Sequence, residues 1–532
     1  IALLAGIAAV TLTPREEEPQ IVVPLADVLV QVPGASAREV ERQVSTRLEK
    51  MLYQIDGVEY VYSMSKPGLS IVTVRFYVGQ DRLGSLVKLY NKISMNMDQI
   101  PATVKGWVVK PVEIDDVPIT NITFYSDTYG ADVLRRVAEE VESRLQAVKD
   151  TGRTYIVGGE PVQVRIAPDP EAMASRGVSL LQIATALQGA NVNVPADVLR
   201  GQDTIRTLEA GSVLRSVEDV RQLVVGTAFG QPVHLQDVAQ VEKAPAEPKT
   251  YTRLMFGPAA EDHAQTQRPA AEHGGDWPAV TLAVAKKKGS NAVWVSRQVQ
   301  AELARLAGNV IPDGVRTRVT RDYGQTANDK VNELLEGLLV AIVIVIGLIA
   351  VMLGWREGFI VATAVPITFA MTLLVNYLAG YTINRVTLFA LTLALGLVVD
   401  DPIVDVENIH RHLRLKKHSP LQAVLDAVNE VRPPIILATF AVIVSFIPML
   451  FITGMMGPYM QPMALNVPLA MLMSLIVAFT ITPWMSYHLL KGPHAGHAGD
   501  GEPQNVRQTL VYRFYSRVLG PVLASRRAGA AV

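Results

Sequence analysis

The pattern of apolar and polar positions changes character near residue 334. From there five apolar runs follow one another, at 334–353, 359–378, 386–406, 435–453 and 463–490. Each reaches or approaches the ~20 residues that carry an α-helix across a bilayer. Prolines interrupt them at Pro366, Pro402, Pro448, Pro468 and Pro483. A membrane helix tolerates proline because neighbouring helices take up the freed carbonyls. Upstream, short strand-like runs alternate with amphipathic helical ones. A first group predicts a strand at 21–32, a helix at 37–54, strands at 58–63 and 70–77, and a helix at 83–97. A second predicts a strand at 119–125, a helix at 131–147, strands at 154–158 and 162–167, and a helix at 180–189. A third predicts a strand at 279–285, a helix at 293–306 and a strand at 315–321. The repeated order suggests split βαβ, ferredoxin-like modules. Residues 204–241 read as strand-rich and interrupt the repeat, and 257–276 read as a polar Gly- and Pro-containing loop.

The fold class this predicts is an α+β membrane protein, a helix bundle carrying a large domain of ferredoxin-like modules. The apolar stretch 1–10 is too short to span a bilayer. No basic segment precedes it, so it reads as the remnant of a first transmembrane helix rather than as a signal peptide. Beyond 490 a Gly-, His- and Pro-rich linker, 491–505, leads into 506–523. There Arg507, Arg513 and Arg517 are spaced among apolar residues, as in an amphipathic helix on a membrane surface. Residues 526–532 read as the start of another apolar segment.

Charge orients the bundle. The loop His410-Arg-His-Leu-Arg-Leu-Lys-Lys-His418 holds four Lys/Arg, against one in 379–385 and none in 454–462. The positive-inside rule makes the basic loop cytoplasmic. Counting crossings back puts the region of roughly 320 residues before the first full run outside the cytoplasm. Composition adds exclusions. Net charge is −1 over 532 residues with 49% hydrophobic, so nothing points to nucleic acid or an acidic substrate. With no cysteine there is no disulfide, thiolate metal site or cysteine nucleophile. The sequence contains no nucleotide-binding loop and no Ser/His/Asp arrangement, and it does not read as an enzyme.

Asp400 and Asp401 sit side by side inside the run 386–406. A charged side chain near the bilayer centre costs roughly 3 kcal/mol on insertion scales, and a pair about twice that. Such a pair points to ion work. Asp405 lies one helical turn beyond Asp401, and Glu407 two turns beyond Asp400. With Asn408 they predict a polar seam turned into the bundle. No Lys or Arg lies within any of the five runs. Two neighbouring carboxylates in an apolar medium cannot both be charged cheaply. Either one holds a proton, or a cation comes from elsewhere.

The string Gly396-Leu-Val-Val-Asp-Asp-Pro-Ile-Val-Asp-Val-Glu-Asn408 resembles the fourth-helix signature of the resistance–nodulation–division (RND) efflux permeases, hydrophobe/amphiphile efflux type. Pro312-Asp-Gly-Val and Tyr323-Gly-Gln-Thr resemble the approach to their second helix, and Pro33-Gly-Ala-Ser-Ala-Arg-Glu-Val-Glu is similar to the start of their external domain. The resemblance covers essentially the whole chain and implies the N-terminal half of such a permease. It implies proton-driven efflux of small amphiphilic or hydrophobic compounds, with protons as coupling ion and no cofactor. Asp400 and Asp401 would be the proton relay, and a basic residue from a C-terminal half would complete it. It also implies a homotrimer in the bacterial inner membrane, with a periplasmic porter domain, an adaptor and an outer-membrane channel. The implied division is 1–13 remnant helix, 14–116 first porter subdomain, 117–165 and 279–333 second porter subdomain, 166–278 docking insertion, 334–490 five transmembrane helices, and 491–525 cytoplasmic linker and amphipathic helix.

Three positions depart from the family pattern. Pro402 follows the pair where a small residue is common, and frees the Val398 carbonyl. Asp405 stands where an aliphatic residue is usual. The strand Thr154–Glu160 offers only Tyr155 where multidrug members line their pocket with aromatics, so broad drug specificity is not implied. Met455, Met456, Met460 and Met463 would suit a soft-metal path, but read better as flexible apolar filler. His488, His494 and His497 read as linker-associated rather than metal-ligating, Lys286-Lys-Lys288 as a solvated turn, and Asn121-Ile-Thr123 as a sequon without consequence. The alternatives are a heavy-metal or lipid exporter of the same superfamily, and a sterol-sensing-type membrane sensor. The acid pair argues against the sensor, since lipid sensing needs no mid-membrane charge.

Overall fold

The computed structural model describes residues 2–19, 21–200, 205–257, 275–352, 354–415, 418–490 and 516–517. The predicted linker 491–505, most of the helix predicted at 506–523, the segment 526–532, His494, His497 and most of the loop predicted at 257–276 lie outside the described residues. The chain forms two compact units, one of residues 14–331 with 382–385, the other of 1–13, 332–381 and 386–532.

Helix α1 (Ala2–Leu12) opens the chain and belongs to the second unit. In the first unit, β1 (Leu25–Gln31) is followed by α2 (Ala37–Val40), a π-helical turn over Glu41–Ser45, and α3 (Thr46–Leu52). Then come β2 (Val58–Lys66), β3 (Leu69–Phe76), α4 (Arg82–Met95) and β4 (Gly106–Val112). These strands make an antiparallel sheet of order β2-β3-β1-β4. A capping box between Ser36 and Glu39 starts the helical segment. Ala26, Val28 and Val30 alternate inward and meet Val72, Val74 and Leu89. Strand β4 was not predicted. Pro111 weakens it as a strand signal, and β4 lies at a sheet edge, where a missing N–H costs little.

The chain continues through β5 (Thr120–Tyr125), α5 (Ala131–Leu145), β6 (Thr151–Val157), β7 (Val162–Pro168), α6 (Pro170–Arg176) and α7 (Leu180–Ala190). Next are β8 (Val192–Arg200), β9 (Ile205–Ser212), α8 (Val217–Arg221), β10 (Val224–Ala228), β11 (Gln231–His234), β12 (Ala239–Pro245) and β13 (Arg253–Met255). The unit closes with β14 (Asp276–Lys286), α9 (Ala292–Leu306) and β15 (Arg316–Asp322). Strands β13, β14, β5 and β15 line up in that order, with β6 also on β14. One sheet therefore joins stretches distant in sequence, and α5 and α9 bury Leu134, Val141, Val295 and Val299 in its core. The order read from sequence set 162–167 beside 154–158. Instead β7 leaves that sheet and pairs with β12. Gly158 and Gly159 both have positive φ, at 88° and 66°, and turn the chain away.

The second unit contains α1, most of α10 (Tyr323–Met352), α11 (Trp355–Leu378), α12 (Arg385–Val398), α13 (Asp400–Leu415), α14 (Pro420–Phe446) and α15 (Met456–Leu490). Among the described residues five helical stretches are long and apolar enough to cross a membrane: Tyr323–Val351, Trp355–Leu378, Arg385–Leu415, Pro420–Phe451 and Met456–Leu490. Helix α11 packs against α1 and α15, and α13 packs against α11, α14 and α15. Gly6 lets α1 approach closely, since a Cβ there would collide with Ala370.

Candidate functional site

The site is built on the stretch Arg385–Leu415, whose apolar window is 61% buried, the highest of the five. Helix α12 buries a stripe at every fourth residue, Val386, Ala390, Ala394 and Val398, against Met463, Val467, Ala470 and Met471 of α15. The helix breaks at Val399, between α12 and α13. Pro402 has no N–H to give the Val398 carbonyl. That carbonyl accepts from Ser474 Oγ at 2.9 Å instead. Ser474 lies one turn beyond Ala470, so the packing of α15 on α12 delivers it to the break.

The predicted polar seam divides into two faces. Asp401, Asp405 and Asn408 are 7%, 0% and 8% exposed, whereas Asp400 and Glu407 are exposed. The cause is helical period. Positions 401, 405 and 408 fall at i, i+4 and i+7, while 400 and 407 lie about 100° to one side. Ser474 and Thr439 face Asp401, but each donates to a backbone carbonyl, Val398 O and Ile435 O, at 2.9 Å. Asp401 Oδ2 has no hydrogen-bond partner among the described residues, and neither has either carboxylate oxygen of Asp405.

Beyond Asn408 the helix enters a well-bonded region. Asn408 Nδ2 donates to Ala427 O at 2.8 Å and to Glu430 Oε2 at 3.3 Å. Arg411 donates to both oxygens of Glu430, at 2.8 and 2.7 Å, and His412 Nε2 lies 2.7 Å from Glu430 Oε2. His410 Nδ1 lies 2.5 Å from Glu357 Oε1, a nearly buried carboxylate at the start of α11. On the opposite part of the bundle, Asn376 donates to Asn466 between α11 and α15. Ser474, Thr439, Glu357 and Glu430 carried no signal in the sequence, because their relevance depends on which helices touch.

The other candidates resolve differently. Met460 and Met463 pack against α12 as part of the core, while Met455 and Met456 are exposed. His488 meets the rings of Trp484 and Tyr487 edge-on, with centroids 4.9 and 5.2 Å away. Among the described residues no three His, Asp or Glu side chains converge to hold a metal ion.

Comparison with known proteins matches the model of the AcrB/AcrD/AcrF family over residues 1–532. The multidrug resistance protein MdtC of Photorhabdus laumondii is 30% identical over 494 residues, covering 92% of this chain and 45% of that protein. MdtC of Yersinia enterocolitica is 28% identical over 532 residues, and MdtC of Pantoea ananatis 30% over 531; each alignment covers 98% of this chain and 49% of the relative. The chain thus spans about half the length of the relatives it matches.

Proposed function

The chain belongs to the AcrB/AcrD/AcrF family, the RND efflux permeases, and from that premise we propose that it couples inward proton movement to the export of small amphiphilic or hydrophobic compounds. The observation that carries the reading is Asp401, a buried carboxylate with an unpartnered oxygen inside the most buried apolar stretch. A carboxylate at membrane depth without a fixed cation is suited to gaining and losing a proton, and each charge moved through 100 mV supplies about 2.3 kcal/mol. In this reading Asp400 and Asp401 form the relay, and a basic side chain from outside this chain answers them when they are ionised. The exposure of Asp400 in the chain alone is consistent with such a contact.

The first unit would then lie on the periplasmic side. Its sheets would be the porter modules, opened and closed as the helices respond to protonation. The pairing of β14 and β15 with β5 supports a porter subdomain completed by a returning segment. Assembly as a trimer with an adaptor and an outer-membrane channel follows from the family reading. The names of the MdtC relatives point to drug-like cargo, while the sparse aromatics of β6 favour a narrower range.

Replacing Asp400 or Asp401 with Asn in the full-length protein is expected to abolish proton-coupled export while the protein still inserts and assembles. Efflux at the wild-type rate in both variants, measured in proteoliposomes under an imposed pH gradient, would sink the assignment.

A further inference from the structure

Asp405 is a buried titratable group that the acid pair does not account for. It is wholly buried, and both its oxygens lack a partner among the described residues. It does not stand alone on its face. Asp401, Asp405, Asn408 and His412 fall at i, i+4, i+7 and i+11, which keeps all four within a narrow stripe along α13. The stripe begins in the candidate relay and ends at the His412–Glu430 pair, 2.7 Å apart.

A second observation comes from α15, which packs on α13. Thr482 and Ser486 are wholly buried, yet neither hydroxyl has a partner among the described residues. A Ser or Thr in a helix can satisfy itself on the carbonyl four residues back. Thr439, Thr368 and Thr480 all do so, at 2.9, 3.0 and 2.5 Å. Two buried hydroxyls one turn apart that decline this bond are available to an exchangeable partner such as water.

On the neighbouring helices Arg356 of α11 lies over the Trp355 ring, Asp426 of α14 accepts from Gln422, and Arg432 of α14 is exposed. From α11 comes Glu357, bonded to His410. From α14 comes Glu430, bonded to Arg411 and His412. Helix α15 contributes no Asp, Glu, Lys or Arg; its titratable side chains are Tyr459, Tyr487 and His488, and His488 is stacked among rings. No described cation neutralises Asp405, and no metal site includes it.

We propose that Asp405 is a second proton-binding station, between Asp401 and the His412–Glu430 end of α13. This rests on the reading of Asp400 and Asp401 as the relay. Side chains one turn apart have Cβ atoms about 5–6 Å from each other, a gap one water can bridge. The Asp401 carboxylic acid gives its proton through that water to the Asp405 carboxylate, and Asp401 is left ionised. Asp405 then releases the proton, again through water, toward the His412–Glu430 end of the stripe. Each step breaks one O–H bond and forms another, with water as the carrier, so charge moves along the stripe with protons and water as the only moving species.

The test uses the full-length protein in proteoliposomes, with proton flux and coupled export followed across pH for Asp405→Asn, Asp405→Glu and Asp405→Val. Infrared difference spectra report protonated carboxyl groups. The expected result for Asp405→Asn is a loss of proton flux of about a hundredfold, a changed pH profile, and one fewer pH-dependent carboxyl band. Asp405→Glu restores flux and band. Asp405→Val loses flux but unfolds at a higher temperature, because it removes a buried group that nothing satisfies. A wild-type rate, pH profile and carboxyl band in Asp405→Asn, with Asp401→Asn inactive, overturns this proposal and leaves the relay standing. Full activity in Asp401→Asn overturns the relay itself. Export driven by a sodium gradient and lost in Asp405→Asn overturns the proton as the bound ion.

Discussion

Two buried acidic sites, one in each unit, are handled in opposite ways. In the first unit Glu16 is 4% exposed and meets Lys286 Nζ at 2.6 Å, with Asp115 at 3.9 Å from the same ammonium. In the second, Asp405 is more deeply buried and has no partner among the described residues. Removing one member of a buried pair leaves an uncompensated charge, whereas replacing unsatisfied buried polarity by an apolar group relieves the structure. The first site therefore reads as architecture. The second is retained against stability, as a group that must change charge would be.

The comparison breaks if Lys286 proves dispensable. Lys286→Ala should destabilise the first unit by about 3–5 kcal/mol, because it strands Glu16 in a buried site. Chemical denaturation monitored by a probe confined to that unit would measure it. Asp405→Val is expected to go the other way, stabilising by about 1–3 kcal/mol, the cost of leaving a buried polar group unsatisfied. A lower unfolding midpoint in that variant would mean that Asp405 supports the bundle. Asn466→Leu sharpens the contrast within the second unit. It removes the acceptor of Asn376, 7% exposed, and should cost about 1–3 kcal/mol in thermal unfolding.

The smallest effect concerns Glu17, between Glu16 and Glu18. Partial burial, then the adjacent Glu18, push its carboxyl above the usual value of 4.5, against the pull of Arg385 and Arg321. The folded chain thus holds this proton more tightly than the unfolded one. The stabilisation it brings is full below the unfolded value and is lost as pH rises through the folded one. Glu17→Gln should flatten the pH dependence of stability just above 4.5, seen as denaturation midpoints that differ less across that range.

Much of the fold was legible because its signals are local. The run 359–378 announces α11 by length and hydropathy, and Ser36 with Glu39 announces the start of α2 by a cap that spans three residues. The helical stretch of α10 begins earlier than its apolar run, at Tyr323, since polar residues such as Asn328 and Lys330 extend a helix without any hydropathy signal. Strand β7 was legible as a strand but not as a member of its sheet. Its partner β12 lies far along the chain, and positive φ at Gly158 and Gly159 decides that it leaves β6.

The acid pair, the third carboxylate one turn on, Pro402, and the absence of Lys or Arg from the apolar runs were all readable as written, because composition and helical period need no partner. Helical phase alone sorts 401, 405 and 408 from 400 and 407, but it does not say which set is covered. Packing against α14 and α15 made that choice, burying Asp401 and Asp405 while leaving Asp400 and Glu407 exposed. The same packing brought Ser474 to the carbonyl that Pro402 had freed. Burial and hydrogen-bond satisfaction depend on side chains supplied by distant helices, and a local pattern holds no record of which helices those are.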